Sequence, residues 1–410
     1  MLYQQSPLQR ELQSRGGAHN AIPHATPHHV PLRPPEADLA QSINYCADFS
    51  GCGIWRMKWP EYVLNCTQST VVHTSTSMIL DPRFYHNIST VRVQRQATPS
   101  QKKFVEFLRD VSSQNGMKIV YEVDDIIFRE DIPLYNKYRS AFTSDEIRET
   151  SESIIKLCDE VTVTCDYMKE YYAKKTSHPN ITVIPNLPPK FWLDRRYDKV
   201  KIGKNYNKHC KSRDRKPRIL YAGSGAHFDI DNNNNHHDDF SHVISAVAAT
   251  VDEFQWVFIG GMPPVFRALL AAGKIEFHPW VQILSLPEFI SNLEINCMVA
   301  PLMDNTFNRA KSDIKMIEAA AHGIPIVCQD LVTYKDCSMK FNTGEEMISK
   351  VRYILKTSKR YNRISAEQHK FIANRWLEDN IDMYKELYTL PYGHPNRVLL
   401  NKLNQLDVVN

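Results

Sequence analysis

Glycine makes up only 14 of the 410 residues, which excludes a glycine-periodic fibrous repeat. No run approaches the roughly 18 apolar residues needed to cross a bilayer, and the amino terminus is polar where a secretory leader would be apolar. Charge of one sign is missing too: 50 Lys and Arg stand against 46 Asp and Glu, and a net +4 implies no polyanion partner by itself. The nine cysteines contain no C-x-x-C pair, and several, such as Cys328, sit inside apolar runs. This argues against a disulfide framework or a zinc site and predicts reduced thiols in a cytoplasmic protein. The sequons at Asn65, Asn87 and Asn180 are then read as chance. What remains, 42% hydrophobic and 23% charged, is ordinary globular composition with length for two cores and a cleft between them.

Residues 1–40, with Gly16-Gly17, scattered histidines and prolines and little apolar periodicity, read as a flexible tail. From Ile43 onward short apolar runs alternate with helical patterns. Strands are predicted at 43–46, 90–94, 118–123, 161–164 and 181–184, and helices at 102–111 and 147–157. This alternation implies parallel strands with crossover helices, an α/β Rossmann-like domain over 41–190. Between Lys190 and Arg218, twelve Lys or Arg face three Asp, so 191–217 read as a solvated basic linker. A second α/β series over 218–360 follows. Its strands are predicted at 218–222, 255–259, 281–284, 297–301 and 324–328, and its helices at 240–251, 265–272, 311–321 and 345–357. A last helical pattern spans 366–387, and 391–410 form a tail.

In open parallel sheets ligands bind beyond the carboxyl ends of the strands, so the loops there are searched for chemistry. Gly51 and Gly53 would let backbone approach a ligand closely, and Arg56 could pair with a phosphate; the same loop also suits a tight turn with Trp55 and Trp59 in the core. Asp124-Asp125 could polarise an acceptor hydroxyl or cap a turn. Gly223-Ser224-Gly225-Ala226-His227 lacks the third glycine of a dinucleotide fingerprint, since Phe228 stands there. His227 reads either as a sugar or acceptor contact or as a turn histidine. The run Asn232 to Asp239 has metal-like composition, but adjacent ligands do not converge on one ion, and a solvated loop is expected. No metal site is predicted.

The fourth loop, 301–312, runs into a helix containing Lys315 and Glu318. A helix N-terminus preceded by basic and hydroxyl side chains suits a diphosphate. Glu318 lies about 10 Å along the helix from Lys311, at roughly 1.5 Å per residue. A carboxylate on the apolar side of Ala319-Ala320-Ala321 needs hydrogen-bond donors, which ribose hydroxyls would supply.

The segment Phe307-Asn308-Arg309-Ala310-Lys311-Ser312 through Glu318-Ala319-Ala320-Ala321-His322-Gly323-Ile324-Pro325 resembles the donor-binding signature of GT-B glycosyltransferases of the family-four, "group 1" type. Cys158 to Thr164, Val183-Ile184-Pro185-Asn186, Tyr221-Ala222-Gly223-Ser224 and a terminal helix around Trp376 and Tyr384 are similar to that group in the same order. Gly51-Cys52-Gly53 and Tyr121 to Asp125 resemble its phage-like branch. The resemblance implies two Rossmann-like domains facing across a cleft, with helices in 361–390 crossing back to the first. It implies a nucleotide sugar, such as a UDP-sugar, as donor, with no further cofactor. Glu318 would hold the ribose, Lys311 and Ser312 the diphosphate, and Gly51 and Gly53 would approach it from the opposite domain. Arg56, Gly223, Ser224, Asn308 and Arg309 complete the expected donor set. The family's E-x7-E pair would begin at 310, where this chain has Ala310; Asp304 or Asn308 is left to meet the sugar hydroxyls.

Transfer with retention of configuration follows from the resemblance, with Asp124, Asp125, His227 and Lys311 as expected catalytic residues. For the acceptor, a basic linker bordering the cleft would gather DNA phosphates, which points to a hydroxymethylated pyrimidine in phage DNA, in the host cytoplasm. Phe191, Trp192, Tyr197 and Tyr206 are interleaved there for stacking. The alternatives are a surface-polysaccharide or protein glycosyltransferase, a nucleotide-sugar epimerase and a non-catalytic binding module.

Overall fold

The computed structural model describes residues 41–388 except 67–70, 76, 143, 194–198, 213 and 230–236. The two expected tails lie outside the described residues. Strands β1 (Ser42–Tyr45), β2 (Val72–Ser75), β3 (Thr90–Gln94), β4 (Lys118–Glu122), β5 (Glu160–Val163) and β6 (Ile181–Val183) form one sheet in the order β2-β1-β3-β4-β5-β6. Strands β7 (Arg218–Gly223), β8 (Gln255–Gly260), β9 (Ile275–His278), β10 (Cys297–Ala300), β11 (Ile326–Gln329) and β12 (Lys340–Phe341) form the other in the order β12-β11-β10-β7-β8-β9. Every pairing is parallel. Central strands such as Thr90–Gln94 and Cys297–Ala300 are buried along their whole length, as strands covered by helices on both faces must be.

Local chemistry sets the helix ends. Thr98 and Gln101 make a reciprocal capping box on the helix Pro99–Asn115, which stops at Gly116 in the left-handed region with φ 71°. Ser144, Thr343 and Thr357 each cap a further helix by accepting a backbone N–H. No helix among the described residues is long and apolar enough to cross a membrane.

The chain returns to its first half at the end, as the resemblance implied. Tyr384, Leu387 and Tyr388 pack in one core with Trp55, Trp59 and Val63, and Lys118 Nζ donates to Leu387 O across 3.4 Å. The predicted helix 366–387 is two helices, Ser358–Ala373 and Asp382–Tyr388. The break lies where Leu377 N donates to Pro188 O and Arg375 to Asp313, so tertiary partners take the backbone out of register.

Two expectations are corrected. Residues 281–284 are not a strand; the edge strand is Ile275–His278, of which only Ile275 is buried, following Gly273 in the left-handed region. The basic linker contains the helix Lys199–Cys210, and that helix does not border the cleft. Its Tyr206 is buried, donates to Leu355 O across 3.2 Å and packs on Tyr361 at 4.9 Å, while Lys208 and His209 bond Glu294. Glu294 precedes β10, so this helix sits at the amino ends of the second sheet, opposite the loops where ligands bind.

Candidate functional site

Each sheet has one point where successive connections leave in opposite directions: between β1 and β3 in the first, between β7 and β10 in the second. Loops diverge there and leave a crevice at the carboxyl ends. The two crevices face each other. Asn186, after β6, donates from Nδ2 to Ser312 Oγ across 2.9 Å, and Cys165, after β5, donates to Ala310 O across 3.6 Å. Lys311 Nζ stands 3.8 Å from Asp125 Oδ2, and Tyr135 bonds Asp239. These contacts bring together expected residues from two of the four loops, Asp125 from the second and Lys311 and Ser312 from the fourth.

On the first side, Asp48 closes the loop after β1 by accepting from Ser50 N and Gly53 N at 2.9 and 3.2 Å. A Cβ at Gly53 would stand 1.7 Å from Asp48 O, whereas one at Gly51 would meet nothing within 4 Å. Gly53 is therefore required by the turn, and Gly51 is the glycine that leaves space over the cleft. Arg95 pairs with Asp48 and reaches Asp124 at 3.5 Å. Burial raises the Asp125 carboxyl, with Lys311 pulling it back.

Arg56 does not reach the cleft, which corrects its assignment to the donor. It is fully buried in the first lobe, its guanidinium bonded to Glu122 at 2.6 Å and donating to Ile184 O and Asn186 Oδ1. Arg92 joins Glu122 from β3 at 2.7 Å. A buried carboxylate needs such partners, and the two guanidinium groups hold its pKa below the usual value despite desolvation. Arg56 thus supports the site at one remove, by fixing the Asn186 that holds Ser312.

On the second side, Lys311 and Ser312 precede the helix Ile314–Ala321, whose N-cap Asp313 makes no side-chain cap bond and instead pairs with Arg375 at 2.7 Å. Lys311 lies over the Phe307 ring at 4.5 Å. Lys315, which the sequence reading did not single out, is fixed by Ala222 O and lies 4.6 Å from the centre of the Tyr221 ring. A Cβ at Gly223 would stand 2.8 Å from Lys315 Nζ, so that glycine admits the ammonium group to the crevice. One turn on, Glu318 is 6% exposed and its carboxylate accepts no hydrogen bond among the described residues. Burial lifts Glu318 to about 7, opposed by Lys315; burial likewise lowers Lys315 to about 8.

Ser224 caps the turn after β7, and His227 Nδ1 donates to Asp239 Oδ2 across 2.7 Å. Burial is the main reason the His227 imidazole is lowered to about 4, so it is neutral at pH 7. Asp238 and Asp239 correct the solvated-loop reading: both are buried, and Asp239 also accepts from Tyr135, Met303 N and Asn308. The signal for this was Phe240 following directly, since an apolar residue entering the core carries its neighbours inward. Asn308 is buried too, its Nδ2 directed at Tyr135, Asp239 and Met303 O, while its Oδ1 is buried with no partner among the described residues. Arg309 is paired with Asp304 at the surface, at 2.6 Å. Neither Asp304 nor Arg309 lines the crevice floor as Lys311 and Lys315 do. Among the described residues no three metal-ligating side chains converge.

Residues 216–352, less than half the chain, match the family model described as "Glycosyl transferases group 1". This segment is similar to group 1 glycosyltransferases. No curated protein matches. Among solved structures, a S. aureus TarM mutant in complex with fondaparinux, alpha-GlcNAc-glycerol and UDP is 9% identical, with a TM-score of 0.46 over 73% of this chain and 54% of that one. The chain thus spans about half the length of that protein. A UDP-glucosyltransferase from Polygonum tinctorium that glucosylates indoxyl is 10% identical, TM-score 0.40, over 86% of this chain and 99% of that one. Phytolacca americana UGT2, complexed with UDP-2fluoro-glucose and pterostilbene, is 9% identical, TM-score 0.41, over 84% and 98%.

Proposed function

We propose that the protein transfers a glycosyl group from a nucleoside-diphosphate sugar to a hydroxyl acceptor. The observation that carries this reading is the Glu318 carboxylate, buried and without a hydrogen-bond donor, one turn beyond Lys315 on a helix that starts in the facing crevices. A vicinal diol would supply two donors to it, and a diphosphate would meet Lys311, Lys315, Ser312 and the amino end of the helix. Spacing along the helix matches a ribose joined to a diphosphate. The family match over 216–352 covers these same residues.

In the reaction the bond from the anomeric carbon to the diphosphate oxygen breaks and a bond to the acceptor oxygen forms. The acceptor proton passes to an oxygen of the departing diphosphate on the same face, which retains configuration and requires no protein nucleophile. Lys311 and Lys315 stabilise the charge that builds on the leaving group. Asp124 and Asp125, across the cleft, orient the acceptor hydroxyl.

A DNA acceptor drew its support from a basic stretch along the cleft, and the helix Lys199–Cys210 lies at the other end of the sheet. We therefore propose a hydroxyl acceptor small enough to enter beside Asp124. The test is incubation with a panel of radiolabelled nucleotide sugars and four acceptors: glycosides bearing free hydroxyls, hydroxymethylcytosine DNA, unmodified DNA and a lipid-linked oligosaccharide. Label in the first supports the reading, label confined to modified DNA restores the pyrimidine acceptor, and label in none with any donor overturns transfer.

A further inference from the structure

A buried carboxylate is one of the points at which the two halves of the molecule meet. Asp239 is 1% exposed, and its two oxygens divide their work. Oδ1 accepts from the Tyr135 hydroxyl at 2.8 Å, Met303 N at 2.9 Å and Asn308 Nδ2 at 2.6 Å. Among the described residues Oδ2 accepts from His227 Nδ1 alone, at 2.7 Å. Tyr135 is the one donor supplied by the first half, and its oxygen accepts in turn from Asn305 and Asn308 at 3.3 and 3.0 Å.

The two oxygens of a carboxylate are rigidly joined, so whatever orients Oδ1 also aims Oδ2. A carboxylate only accepts, which puts the His227 proton on Nδ1 and leaves Nε2 as an acceptor. Nε2 takes no hydrogen bond from the protein among the described residues, although the side chain is 12% exposed beside the crevice. Withdrawing Tyr135 when the halves part would take one of three donors from Oδ1 and release the carboxylate to rotate.

We propose that Asp239 is a positioning residue that couples closure of the cleft to the setting of His227: the ring presents Nε2 in a fixed direction only when Tyr135 has docked. On the reading above, the group that Nε2 then receives is a hydroxyl of the sugar or the acceptor. The coupling itself does not depend on that reading. It makes the site complete only after the halves have closed, which keeps water from the activated sugar until then.

The test uses the full-length chain labelled with 15N-histidine, as wild type, Tyr135→Phe and Asp239→Asn. Two quantities are read without substrate: the His227 tautomer from its ring 15N shifts, and hydrogen exchange over the peptide containing Met303. Tyr135→Phe keeps the ring and removes only the hydroxyl. It should speed exchange at Met303 about tenfold, as loss of one hydrogen bond to a charged group implies, and replace the Nδ1–H signature with an averaged one. Asp239→Asn, if it folds, should shift the ring toward the Nε2–H form. Unchanged exchange in Tyr135→Phe, or faster exchange with the tautomer intact, overturns the coupling. A wild type that transfers no sugar while these shifts occur would overturn the proposed function and leave the coupling standing.

Discussion

Arg92 and Tyr388 stand 296 residues apart in the chain, and the guanidinium donates to the phenol oxygen across 3.0 Å. The same hydroxyl donates to Asn44 Oδ1 at 2.7 Å, so the last described helix closes over the buried charges of the first sheet. Tyr388→Phe should cost about 2 kcal/mol, the value of one hydrogen bond with a charged group plus one neutral bond. Urea denaturation would measure it, and a midpoint equal to the parent's would refute the tie.

Beneath that helix, Glu122 serves Arg56 and Arg92, all three fully buried. Glu122→Ala leaves two cations without their counter-ion and is expected to destabilise the fold by about 3–5 kcal/mol, far more than a surface pair would. Loss of cooperative unfolding in calorimetry would report it.

Glu318→Gln separates ligand binding from folding. The native carboxylate is desolvated without a hydrogen bond, and its charge disfavours the folded state above its raised pKa, so neutralising it should raise the melting temperature at pH 8. The donor loses one charge-assisted partner, and its KM should rise about tenfold. A lower melting temperature with unaltered KM would mark Glu318 as structural.

Gly51→Ala and Gly53→Ala should behave oppositely. At Gly53 the new Cβ overlaps Asp48 O, and the loop must unfold; at Gly51 it meets open space. Gly51→Ala should therefore keep stability and weaken donor binding where a phosphate approaches the backbone, as isothermal titration with a nucleoside diphosphate would read.

Acid dependence follows from two opposed groups. His227 is lowered from 6.5 to about 4, so the unfolded chain binds a proton in that window that the folded chain does not. Its stabilisation is complete above pH 6.5 and is lost as pH falls toward 4, at about 1.4 kcal/mol per pH unit. Glu318, raised from 4.5 to about 7, does the reverse: the folded state takes up the extra proton, and its contribution falls as pH rises through that window. His227→Gln removes only the first, so between pH 4.5 and 6.5 its urea midpoint should decline with rising pH while the parent's does not.

The strands were legible where burial on both faces leaves β-branched and aromatic residues close together in the chain: 90–94 matches in full, and 43–46 and 118–123 to within a residue at an end. The edge strand Ile275–His278 was not, because it is four residues long and only Ile275 is buried, so it carries no apolar pattern to read. Lys311, Ser312, Glu318 and the Asp124-Asp125 pair were singled out from strand-end position and the motif, and the fold sets Lys311 beside Asp125. Arg56 was misjudged since nothing local reveals that its partner is Glu122 on a strand 66 residues away. Tyr135 and Asp239 escaped for the same reason: their bond spans 104 residues and both halves of the fold.

Tyr388 also bears on how the molecule is made. A ribosome delivers β1, β3 and β4 early, yet the phenol that covers Arg92 and Asn44 emerges only after the whole second sheet has been made. The first sheet must wait, half-finished, for a segment synthesised after the second. A polypeptide cut after the second sheet would keep every strand and still lack a finished amino-terminal lobe, whereas supplying the missing helix as a separate peptide should restore it.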